Sequence, residues 1–165
     1  MSTLQRITRY NGRNLYLLRI ETIGKCDKWP DEKPYFRLII AMEDSQISSD
    51  EEFLELAKSA LDAGACSVLS SGSAAARIHH LFDMLRSDGA YDPLPGDCIC
   101  TDFNPNDPLD EALWEAFHVT SGSDRFEECV PPVVVLMLES DLRIDDLLKI
   151  AGSIDQVFND VENRN

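Results

Sequence analysis

The sequence predicts an α/β fold, a three-layer Rossmann-like sandwich on a mostly parallel sheet of about five strands. Three observations carry that prediction. Short apolar runs alternate with segments whose apolar residues recur at helical spacing. The links between them are short, which forces parallel strands joined by right-handed crossovers. The best-marked unit, Cys66 to Leu85 (CSVLSSGSAAARIHHLFDML), reads strand, tight turn, helix.

Taken in order, the chain is expected to be a single domain over 1–165, opening with a basic arm over 1–13. Asn14 to Thr22 (NLYLLRIET) is rich in Leu, Tyr and Ile and predicts a first strand. A polar loop, Gly24 to Pro34, leads to Tyr35 to Glu43 (YFRLIIAME), a more continuously apolar and therefore central strand. Ser49-Asp50-Glu51-Glu52 supplies a capping-box pattern for a helix whose buried face is Phe53, Leu56, Ala57, Ala60 and Leu61, and Gly64 ends it. In the organising unit, Val68 and Leu69 favour a strand, Gly72 permits the turn, and Ser73 is read as the N-cap. Ile78, Leu81, Phe82 and Leu85 form one helix face. A strand is expected at Cys98 to Thr101, a helix at Leu109 to Phe117, and the strongest strand at Val133 to Leu138. One last helix follows Ser140, and the tail 162–165 is expected to fray.

Composition narrows the function classes. The formal net charge is −15, unevenly placed: residues 1–37 carry eight Lys or Arg against four Asp or Glu, and residues 38–165 carry seven against 26. Such a body repels phosphate backbones, which disfavours direct nucleic-acid binding except through the basic arm, and it attracts basic partners. No apolar run approaches the roughly 20 residues that span a bilayer, and the charged N-terminal segment lacks a secretory h-region. Five cysteines without a CxxC pair argue against a structural zinc site and for a reduced, cytoplasmic setting.

Candidate sites lie at the C-terminal strand ends, where open parallel sheets bind ligands. The turn Ser71-Gly72-Ser73 aims backbone N–H groups at one point, with Arg77 one turn into the helix, and is a candidate anion site. It has neither the GxGxxG fingerprint nor the Lys of a P-loop. Asp102 and Asp107 are candidate Mg²⁺ ligands for phosphoryl-type chemistry. His79 and Asp83, four apart on a helix, form a candidate acid–base pair. Their bland reading is a surface pair that supports the helix, and that of Ser73 an ordinary cap. Asp110, Glu111, Trp114 and Glu115 share one helix and form a candidate interface, an aromatic anchor in an acidic rim.

Two stretches carry a resemblance. Gly64, Gly72, Arg77, Ile78, His79 and Asp83, followed by Leu109-Asp110-Glu111-Ala112-Leu113-Trp114, resemble a family of small bacterial α/β proteins of unknown function. That family has an Arg-Val-His-Asp-like helix and a Leu-Glu-Glu-Ala-Leu-Trp-like helix. The resemblance implies an α/β fold and a bacterial cytoplasmic setting. Ser71 stands where the family's turn has Trp, and Phe103-Asn104 stand near its Trp-His pair.

The sequence thus favours a non-catalytic acidic interaction module, of immunity or accessory type, that binds a basic protein partner and needs no cofactor. The alternative is a Mg²⁺-dependent phosphoester- or nucleotide-acting enzyme, or a nucleotide sensor. A homo-oligomer, with the basic arm against a neighbour's acidic body, is a third arrangement.

Overall fold

The computed structural model describes residues 1–87, 100–106, 108–119 and 124–165. Among the described residues six strands form one sheet: β1 (Ser2–Tyr10), β2 (Arg13–Ile20), β3 (Phe36–Ala41), β4 (Ala65–Ser71), β5 (Cys100–Asn104) and β6 (Val133–Leu138). Their order is β1-β2-β6-β3-β4-β5, and every pairing except β1 with β2 is parallel. The helices are α1 (Asp50–Asp62), α2 (Ala75–Arg86), α3 (Leu109–His118), α4 (Asp124–Glu128), α5 (Ile144–Gly152) and α6 (Ile154–Arg164).

The sixth strand is a correction. Residues expected to form a basic arm instead make β1, an edge strand that pairs antiparallel with β2. Asn11 and Gly12 join the two with positive φ angles of 48° and 76°, the combination that a two-residue hairpin needs to match strand twist. The C-terminal segment also differs from expectation. The last helix breaks at Ser153 into α5 and α6, and α6 extends to Arg164.

Parallel strands buried on both faces read as continuous apolar runs, and β3 and β6 do so here. Alternation divides them between two cores. Leu38, Ile40, Val134 and Leu136 pack with Phe53 and Leu56 of α1 and Ile78 and Phe82 of α2. Ile39, Ala41, Val133 and Val135 pack with Leu113 and Phe117 of α3, Leu147 of α5 and Phe158 of α6. Each fully buried Leu, Ile or Phe contributes about 1.5–3 kcal/mol, so these two clusters are what order the helices against the sheet. The β2–β3 connection passes over β6 on the α1 side, where Trp29 stacks on Phe36 at 5.3 Å.

This topology fixes where a site belongs. The chain leaves β3 through α1 on one face and leaves β6 through α5 on the other. The C-terminal ends of β3 and β6 therefore flank the point where the winding reverses, the position at which open α/β sheets form their ligand crevice.

Candidate functional site

Three chain segments meet at that crevice: Glu43 and Asp44 after β3, Gly72 and Ser73 after β4, and Asp141 to Arg143 after β6. The ends of β3 and β4 are laced by backbone bonds, Met42 N–H to Ser71 O at 3.1 Å and Ala74 N–H to Met42 O at 3.2 Å. The approach is so close that a Cβ on Gly72 would lie 2.4 Å from the Met42 carbonyl oxygen, and Gly72 has φ +94°. Only glycine meets both conditions.

Ser73 corrects the expected cap. The N-cap of α2 is Ala74, in helical conformation and with no side-chain cap. The Ser73 hydroxyl instead donates to Glu43 Oε2 and accepts from the Asp44 N–H at 2.9 Å, and the Ser73 N–H donates to the same Glu43 oxygen at 3.1 Å. The carboxylate expected from a ligand at this turn is Glu43 itself. Those Ser73 hydrogen bonds, side chain before backbone, hold the Glu43 carboxyl below its ordinary pKa.

Arg77 is likewise engaged. Its guanidinium donates to Asp50 at 2.8 Å, to Asp44 at 3.0 Å and to the Ile47 carbonyl at 3.3 Å, tying the 3-10 turn Asp44–Gln46 to the start of α1. Ser49 caps α1 as its sequence predicts, accepting from the Glu52 N–H.

Arg143 closes the network from the β6 side. Its Nε and Nη2 donate to the two oxygens of Asp141 at 2.9 and 2.7 Å, Nη2 also reaches the Ala41 carbonyl at 3.2 Å, and Nη1 lies 3.2 Å from Glu43 Oε1. The Asp141 side chain is 5% exposed. Burial works to raise its pKa, but the Arg143 hydrogen bonds outweigh it and the group is lowered. Gln46 adds a longer contact, Nε2 to Asp141 Oδ2 at 3.4 Å. The sequence places Asp141 among the acids at the C-terminal strand ends but does not single out Arg143; the signal available was an Asp-X-Arg shortly after the strongest strand.

The family described as a domain of unknown function, DUF7684, matches residues 15–153. The chain belongs to that family. No curated protein and no solved structure matches the chain. The DUF7684 match contains the whole β3–β4–β6 network and stops short of β1 and α6.

Other predicted residues of this DUF7684 chain fall elsewhere. His79 Nε2 and Asp83 Oδ2 are 3.2 Å apart, as their spacing predicts, and Asp83 also meets Arg86 at 3.4 Å. Helix rise puts Asp83 about 12 Å along α2 from its start, so this pair is carried away from the Ser73 turn. Asp102 lies on β5 opposite Leu69, but its side chain, and all of Asp107, lie outside the described residues. Among the described residues no group of three His, Cys, Asp or Glu side chains is placed to hold a metal ion. On α3, Asp110 pairs with Arg164 at 2.6 Å and Glu111 lies 3.8 Å from the same guanidinium. Trp114 is half-buried, stacks on His118 at 4.8 Å and donates to Glu162 at 3.2 Å. Among the described residues no helix is long and apolar enough to cross a membrane.

Proposed function

We propose that the chain is a non-catalytic binding module, Rossmann-like in its three layers and cytoplasmic in setting, whose acidic surface docks a basic protein partner. The observation that carries this reading is the position of Glu43. An enzyme or sensor for phosphoesters or nucleotides would present the Ser71–Ser73 turn and Arg77 to its substrate. Here the Ser73 N–H and hydroxyl serve Glu43, and Arg77 serves Asp44 and Asp50. These Ser73 and Arg77 donors are taken up within the chain, while Glu21, Glu51, Glu52, Glu139, Asp145 and Asp146 are exposed on the segments that follow the strands or open α1 and α5. Long-range attraction to so acidic a surface makes encounter with a basic partner fast and sensitive to salt.

Calorimetric titration with a lysine-rich peptide tests the reading. Affinity should fall about tenfold or more between about 20 mM and about 200 mM salt, because exposed charges are screened beyond the Debye length. A glutamate-rich peptide of the same length should give no heat of binding. Absence of lysine-peptide binding at low salt would remove the reading.

A further inference from the structure

We infer that the docking surface is the loop between β6 and α5 together with the cleft beside it, and that its occupant is a basic amphipathic segment of a partner protein. The inference rests on the reading above and gives it a place. Leu142 is 92% exposed, more than any other large apolar side chain among the described residues, and it follows the buried Asp141 directly. An exposed leucine is unremarkable on a loose loop, but this loop is fastened. Arg143 grips Asp141 through both side-chain oxygens, its own N–H donates to Asp141 Oδ1 at 2.9 Å, and its guanidinium reaches back to Ala41 and Glu43. The crevice network therefore holds Leu142 outward in a fixed position, and a pre-ordered anchor binds without the entropy loss of a mobile one.

The surroundings of Leu142 select the partner's charge. Glu139 and Asp145 stand three residues to either side, both exposed and with no partner among the described residues. Gln46, which touches Asp141, is also a wall of a cleft of about 430 Å³ lined by Glu21, Thr22, Ile23, Ser48, Glu52 and Leu138, the last at the end of β6. Glu21 is already paired with the terminal amino group through Oε2, so Glu52 is the cleft carboxylate left to a partner's cation. The cleft sets two carboxylates, Glu21 and Glu52, beside the apolar Ile23 and Leu138, suited to the long stem and charged head of a Lys or Arg, and Leu142, four residues beyond Leu138, is suited to an apolar residue on the same segment. On the α3 face Arg164 opposes both Asp110 and Glu111, whereas Glu52 of the cleft meets the Ser48 hydroxyl and no cation among the described residues.

The test is amide chemical-shift mapping on the full chain with two synthetic peptides of about 16 residues, one of Lys and Leu in amphipathic helical order and one with every Leu replaced by Ser. Shifts should concentrate at Thr22, Gln46, Ser48 and Leu142, and the Lys–Leu peptide should bind about tenfold tighter than the Lys–Ser peptide. Leu142→Ser, at a site too exposed to affect folding, should bring the two affinities together, and Glu52→Gln should weaken both peptides alike. An unchanged ratio in Leu142→Ser, or shifts centred on Asp110 to Glu115, overturns this placement while leaving the acidic-module reading intact. Failure of both peptides to bind at low salt overturns both.

Discussion

Arg143 and Asp141, two residues apart, form a two-pronged ion pair at the C-terminal end of β6, with Asp141 almost wholly withdrawn from water. The geometry matches a planar guanidinium to a planar carboxylate, so the pair is specific to arginine. Removing Arg143 strands a buried carboxylate and frees the loop. Because Arg143 itself is partly exposed, the loss expected for Arg143→Ala is about 2–3 kcal/mol rather than the larger cost of a fully buried pair. Arg143→Lys should recover less than half of it. Urea unfolding midpoints measure both.

Arg164 offers the contrasting case. Its pair with Asp110 is short, but Arg164 is about half exposed, and surface pairs stabilise little. Arg164→Ala should cost less than about 1 kcal/mol, and added salt should erase the difference. A loss comparable to that of Arg143→Ala would mean the α3–α6 contact matters far more than its exposure allows.

Gly72→Ala tests the close approach of β3 and β4. The substitution meets both a positive φ and a backbone oxygen that cannot step aside, and the expected loss is about 3 kcal/mol or more. Gly12 has positive φ but open space, so Gly12→Ala should cost only about 1 kcal/mol. The difference between the two, read from thermal unfolding, isolates the contact from the backbone angle.

Acid should weaken the fold through particular carboxylates. Glu43, Asp141 and Glu127 all have lowered pKa values in the folded chain. For Glu127 burial works to raise it, but the guanidinium groups of Arg37 and Arg13 outweigh that effect. A carboxylate lowered on folding binds fewer protons in the native state, so its stabilisation is present above its unfolded pKa, near 4, and is lost as pH falls through the folded value. Relief of repulsion as other acids protonate works in the opposite direction. The comparison that separates them is between wild type and Glu43→Gln: the stability gap should be widest above about pH 5 and should close as pH drops below about 4.

Cys66 should be inert in the native state. It is 1% exposed, its Sγ donates to the Phe36 carbonyl at 3.3 Å, and burial pushes its pKa up to about 12. Mass-spectrometric mapping after brief alkylation at neutral pH should find Cys66 unmodified until denaturant is added.

How much of this could be read from the sequence differs by residue. The buried faces of α1 and α2 follow from 3.6-residue periodicity, and the core clusters contain the predicted Phe53, Leu56, Ile78 and Phe82. The position of β6 between β2 and β3 could not be read, because strand order depends on long-range pairing that no local pattern encodes. The β1–β2 hairpin had a local signal in Asn11-Gly12, which the basic charge of the segment masks. Ser73 shows the limit of residue preference. A serine before a helix is a good cap in isolation, but Glu43, thirty residues earlier, offers its hydroxyl a charged acceptor. Chemistry at a parallel-sheet edge is assembled from separate strand ends, so the Glu43–Ser73 and Glu43–Arg143 pairings appear only once the strands are aligned.

The most direct measurement is thermal unfolding of the wild-type chain against Mg²⁺ with ATP or pyrophosphate, beside the Lys–Leu peptide at low and high salt. A ligand at about a hundred times its Kd adds about 2.7 kcal/mol of stability, which a melting curve resolves easily. The account predicts a salt-sensitive rise in Tm with the peptide and none specific to the anions. A nucleotide- or pyrophosphate-dependent rise that disappears in Ser73→Ala and Arg77→Ala would contradict it, because the turn would then be receiving a ligand in place of Glu43.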